Sequence, residues 1–158
     1  MLRNKHLVPL SRQHQHALAL CVRIERAGAI DGSTLSEWQA EIAQQFEAEI
    51  KVHFAAEEQI VFPAAVEFSE LGPLVEELLT DHKWLRASFA KAEAREMSAE
   101  EMRAFARKLS EHIRKEERQL FERMQELVRP EEFIRLGQEL DRTLEGATQI
   151  CAIPSPKE

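Results

Sequence analysis

Two ten-residue stretches, HFAAEEQIVF at 53–62 and HIRKEERQLF at 112–121, decide how this chain folds. Each sets a histidine four residues before a glutamate, follows with a second glutamate, and ends on a phenylalanine nine positions after the histidine. Four residues is just over one helical turn, so histidine and glutamate share a face if the segment is helical. Apolar residues spaced by three and four extend outward from both stretches, the helical signature. Around the first, the stripe is Leu35, Trp38, Ile42, Phe46, His53, Glu57 and Ile60; around the second it is Met102, Phe105, Leu109, His112, Glu116, Leu120, Met124 and Leu127. Both polar pairs therefore fall on faces that the pattern reserves for the core.

Two further helices complete the set. One runs from Ser11, a candidate cap, to about Gly28 before the turn AIDGST. The helix of the first stretch starts near Ser36, and Pro63 should end or kink it, because proline lacks the ladder donor. The third opens after ELGP, with Pro73 suited to a first turn and a stripe of Leu74, Leu78, His82, Leu85, Phe89 and Ala92. The fourth begins at SAEE, where Ser98 and Glu101 make a capping-box pattern. Short connections between long amphipathic helices favour antiparallel neighbours, and no strand alternation competes. The expected fold class is all-α: an up-down-up-down antiparallel four-helix bundle with a short additional C-terminal helix. Residues 1–158 read as a single domain, with the bundle core at about 10–128, a helix at about 130–145 that docks Phe133, Ile134, Leu136 and Leu140, and an irregular tail at 146–158.

Composition bounds the function. With 28 acidic against 21 basic residues the net charge is −7, which argues against a nucleic-acid partner, since that would need a concentrated basic face. Two cysteines, Cys21 and Cys151, do not make a disulfide framework. A leader is not expected, and the sequence has no run of 18 apolar residues. The expectation is a cytoplasmic protein without a membrane partner. The fifth helix and tail are left either to cover the bundle or to form a homodimer surface.

The polar residues on the stripes carry the chemistry. His82 takes a leucine's place in its helix, and His14 shares a face with Leu10, Leu18 and Cys21. His16 competes with His14, but its own stripe of Leu20, Arg23 and Ala27 is more mixed. His6 reads as a surface or tail residue. Each of the four helices thus turns a histidine inward, and two add a glutamate. A buried carboxylate must be paired, protonated or bound to a metal, and no inward lysine or arginine offers a partner. A divalent cation would neutralise the carboxylates and take the imidazole lone pairs in one step. Six histidines and 25 glutamates would give about one such pair by chance, so the weight rests on the longer repeat and on one inward histidine per helix. Counting residues from the loops puts His82 and His112 at matching heights, whereas His14 and His53 differ by roughly 7 Å at 1.5 Å per residue.

With SRQHQHALAL, HFAAEEQIVF, DHKWLRASF and HIRKEERQLF in this order over about residues 10–125, the chain resembles hemerythrin-like domains of the HHE cation-binding family. The resemblance implies a four-helix bundle around a non-haem di-iron centre, with two iron ions held by His14, His53, Glu57, His82, His112 and Glu116, and the two glutamates bridging. Oxygen-carrying relatives have a second histidine one turn after the third-helix histidine, where this chain has Arg86. They place an aspartate five residues after the last histidine, where it has Glu117, and Glu116 is taken as the ligand. Four imidazoles instead of five point away from reversible O2 carriage and toward sensing, small-molecule chemistry or iron handling.

The leading expectation is therefore a protein that binds or senses O2, NO or peroxide, or reports iron status. No residue beyond the six points to a reaction, so binding is expected in preference to catalysis. Repair of iron centres under nitrosative or oxidative stress and a metal-free interaction module are the alternatives, and other divalent metals suit the same donors. Glu25, Cys21 and Glu49 are candidates for orienting the ligands, with simple packing the preferred role for Cys21. The chain has no tyrosine, which excludes a tyrosyl-radical mechanism for this polypeptide alone.

Overall fold

A computed structural model describes residues 1–151, with side chains through residue 146. Among the described residues there is no strand; five helices account for nearly all of them. They are α1 (Val8–Arg26), α2 (32–66), α3 (Gly72–Ala94), α4 (99–127) and α5 (Pro130–Cys151), with a single 3₁₀ turn, Ser69–Leu71, before α3. No helix among the described residues is long and apolar enough to cross a membrane.

The ends of the helices follow local chemistry, with some departures from the sequence pattern. α1 starts at Val8, so Ser11 lies inside it and caps nothing; its hydroxyl donates to Glu117 instead. α2 starts at Gly32, where Asp31 and Thr34 form a reciprocal box, four residues earlier than the apolar stripe suggested. Ser98 and Glu101 do cap α4 in both directions. α3 closes on Arg95 in the left-handed region at φ 61°, with Glu96 N–H bonded to the Lys91 carbonyl.

Pro63 does not end α2. A π-helical turn, Glu57–Val61, stands immediately ahead of it, and the Phe62 N–H reaches back five residues to the Glu57 carbonyl. In that wider turn the proline displaces no regular i→i−4 bond. A second π turn covers Phe46–Ile50, and a third, Glu116–Phe121, interrupts α4. Each adds one residue to a turn and shifts the buried face by one position. Val61 is buried where the pattern named Ile60, and Val128, buried where it named Leu127, is the extended residue that follows the end of α4.

Two apolar clusters fill the interior. One gathers Leu20, Ile24, Ile42, Phe54, Leu85, Phe89, Phe105 and Leu109. The other gathers Leu10, Phe62, Leu78, Leu120, Phe121 and Met124, and α5 joins it through Phe133, Leu136 and Leu140. Ile134, expected to dock, is 48% exposed. α5 continues through 146–151, where an irregular tail was expected; no proline interrupts it before Pro154. Residues 152–158 of that expected tail lie outside the described residues. His6 is no free tail residue either: it fills the space beside Gly137, where an added Cβ would stand 2.2 Å from its Nδ1.

Candidate metal centre

Four helices each send one imidazole into the interior, and the six residues singled out in the sequence meet there. His14 (α1), His53 and Glu57 (α2), His82 (α3), and His112 and Glu116 (α4) are each between 0 and 4% exposed. Every one of the four imidazoles turns its Nε2 to the centre. His53 Nε2 lies 2.9 Å from His14 Nε2, and His82 Nε2 lies 3.1 Å from His112 Nε2, so the imidazoles form two pairs.

The carboxylates stand between the pairs and divide their oxygens. Glu57 Oε1 faces His53 at 2.8 Å and His14 at 3.5 Å, while its Oε2 faces His82 at 3.3 Å. Glu116 Oε2 faces His14 at 3.1 Å, while its Oε1 faces His112 at 3.3 Å and His82 at 3.9 Å. Two four-residue groups result, His14–His53–Glu57–Glu116 and Glu57–His82–His112–Glu116, sharing both glutamates.

Several properties of the cluster fit a cation. All four carboxylate oxygens are buried without a hydrogen bond, despite imidazole nitrogens close by. Leaving such groups unsatisfied costs about 1–3 kcal/mol each, more when they are charged. Two donors about 2.1 Å from one ion and at right angles stand about 3 Å apart, the spacing of each imidazole pair. The electrostatics agree. Burial alone would raise the Glu57 carboxyl, yet the imidazoles of His53, His14 and His82 hold it well below the usual range. Burial and the neighbouring Glu57 both push Glu116 up, but His112 and His14 outweigh them and keep it low. Burial likewise opposes charge on His112, which Glu116 and Asp81 nevertheless raise to about 9. The pocket is built to stabilise positive charge.

The outer nitrogen of each imidazole is held as well, and here the long repeat in the sequence finds its reason. Glu58, next to Glu57, takes His82 Nδ1 at 2.8 Å, and Phe62 lays its ring 5.4 Å from that of His82. Glu117, next to Glu116, takes His14 Nδ1 at 2.6 Å, and Phe121 stacks on His14 at 5.7 Å. Each copy of the motif therefore cages a histidine from a helix outside the repeat. Arginines neutralise the trailing glutamates: Arg86 bonds Glu58 at 2.6 Å and Arg3 bonds Glu117 at 2.7 Å. Arg86 also lies over the Phe54 ring, 5.5 Å from its centroid. The motif histidines rest on the residues preceding the other two: His53 Nδ1 on Gln13 Oε1 at 2.7 Å, and His112 Nδ1 on Asp81 Oδ2 at 3.4 Å.

Gln13 and Asp81 escaped the sequence reading, although each adjoins an inward histidine. Glu25 and Glu49, candidates for orienting the ligands, make no contact with them, and Cys21 takes the packing role preferred for it. Glu49 bonds His16, whose side chain is 56% exposed. Glu25 is exposed. Cys21 packs in the apolar core, where burial pushes its thiol up to about 11.

No curated protein and no solved structure matches the chain. A family model does: the hemerythrin HHE cation-binding domain matches residues 7–124, most of the chain and all of the cluster. A helical protein whose interior is arranged around shared carboxylates and paired imidazoles has, in that match, its natural relatives, and the chain belongs to the hemerythrin HHE cation-binding family.

Proposed function

We propose that this is a non-haem di-iron protein, built on an up-down-up-down four-helix bundle with α5 laid against it, that binds or senses O2, NO or peroxide or reports iron status. One observation carries the reading: two imidazole pairs share two buried carboxylates that have no other partner. The short connections 27–31, 67–71 and 95–98 support antiparallel neighbours. Membership of a cation-binding family supports a metal, and imidazole with carboxylate suits iron.

In this reading His14 and His53 would hold one ion and His82 and His112 the other, with Glu57 and Glu116 shared between the two groups. Bound iron would supply redox-active positions open to a small ligand. The chain's own work is orientation and exclusion of water. Glu58, Glu117 and Asp81 accept the Nδ1 protons of His82, His14 and His112, which turns Nε2 of each ring inward as the nitrogen an ion would take. Phe54, stacked 3.9 Å from the His82 ring and edge-on to His112 at 5.8 Å, closes one side of the centre. Such dry surroundings strengthen every charge interaction within them.

The test is elemental analysis joined to electronic spectra. Untagged protein loaded anaerobically with ferrous iron should retain two ions per chain, with a spectrum that changes on exposure to O2 or NO. Protein that holds no stoichiometric metal after loading would overturn the proposal.

A further inference from the structure

The centre has an approximate two-fold equivalence. Gln13–His14 of α1 corresponds to Asp81–His82 of α3, and His53–Glu57–Glu58–Phe62 of α2 corresponds to His112–Glu116–Glu117–Phe121 of α4. Three imidazoles are backed by carboxylates: His82 by Glu58, His14 by Glu117 and His112 by Asp81. The equivalence breaks at His53, which rests on the neutral amide of Gln13.

This difference bears on proton placement. A carboxylate can only accept, so it keeps a proton on Nδ1 and makes Nε2 the nitrogen that an ion can take. An amide can also turn over and donate to Nδ1. The His53 proton would then sit on Nε2, aimed at Glu57 Oε1 only 2.8 Å away. That orientation aims an N–H instead of a lone pair at the ion, and a neutral amide does not strengthen the imidazole as a donor in the way a carboxylate does. Distance alone would favour the other order, since Gln13 sits 2.7 Å from its histidine and Asp81 3.4 Å from its own. Charge decides it. Asp81, held by Lys108 at 2.6 Å and Lys115 at 3.0 Å, has no proton to give, and contacts to an ionised group run about twice as strong as neutral ones.

We propose that Gln13 makes the His14–His53 half of the centre the weaker one, so that metal fills the His82–His112 half first and leaves the His14–His53 half first. The inference rests on the two-ion reading above. Gln13 is a positioning residue here; it touches the ion only through His53.

Titration with Zn2+, followed by calorimetry and by imidazole ¹H–¹⁵N spectra of the full chain, tests it. The first equivalent should shift the Nε2 resonances of His82 and His112, and the second those of His14 and His53. Gln13→Glu should tighten the weaker step by about tenfold and bring the two steps together. Asp81→Asn should weaken the stronger step by a similar factor. All four histidines responding together, with Gln13→Glu leaving both steps unchanged, would overturn the inference while the two-ion reading stood. Failure of the wild-type chain to take a second equivalent would remove both.

Discussion

The two copies of the His-x-x-x-Glu-Glu motif match each other closely, yet the helices they serve do not. Both copies place an inward glutamate at the start of a π turn, give the next glutamate to a histidine on another helix, and finish with a phenylalanine on that same histidine's ring. What differs comes from α1 and α3, which offer an amide on one side and a salt-bridged carboxylate on the other. Repetition in the sequence thus supplies the symmetric frame, and single residues outside it set the two halves apart.

Removing a shared element should have the largest effect. Glu57→Ala or Glu116→Ala takes a carboxylate from both halves at once, and elemental analysis should find neither variant able to retain two ions. His16→Ala, on the exposed side of α1, should keep the wild-type metal content; loss of metal there would contradict the choice of His14. Next comes Phe54→Ala. Its ring packs in the apolar core against both His82 and His112, so denaturant unfolding should show a loss of about 3–5 kcal/mol.

The paired glutamates allow a finer comparison. Glu58→Gln and Glu117→Gln should each lower metal affinity by about 10–100-fold, measured by competition with a chelator. If only one of them did so, the two copies would not be playing equivalent parts. The smallest effect lies away from the centre, at the start of α4. Ser98→Ala should cost about 1 kcal/mol. Lys91 and the Ser98 backbone N–H hold the Glu101 carboxyl at about 2, below its ordinary 4.5. A lowered carboxylate stabilises the fold above its ordinary value and loses that contribution as it protonates. Acid titration of Glu101→Gln should therefore lack the part of the stability loss that wild type shows as pH falls from about 4.5 toward 2.

Much of this was legible in the chain because buried faces announce themselves through helical spacing. His82 in a leucine's position, and His53 with Glu57 on an apolar stripe, needed only that spacing to be placed inward. Counting at a constant 3.6 residues per turn then fails where the helix is not regular, as the slip from Ile60 to Val61 shows. The height mismatch between His14 and His53 has a similar origin. Ala27 and Asp31 are extended, and an extended residue spans about 3.3 Å against 1.5 Å in a helix, so the connection 27–31 covers distance that helical counting omits. Gln13 and Asp81 stayed hidden for another reason. Each lies beside a stripe instead of on it, and only the crossing of two helices brings it to a histidine of the other.

The wide turns at Glu57 and Glu116 make chain length a variable of its own. Excising one residue from either would return the helix to ordinary phase, with both flanks facing as before. Lost would be the extra arc in which adjacent acids point along different directions, one to the middle and one to the side. A one-residue gap at these two places would therefore be gentler on the architecture than on the chemistry it encloses.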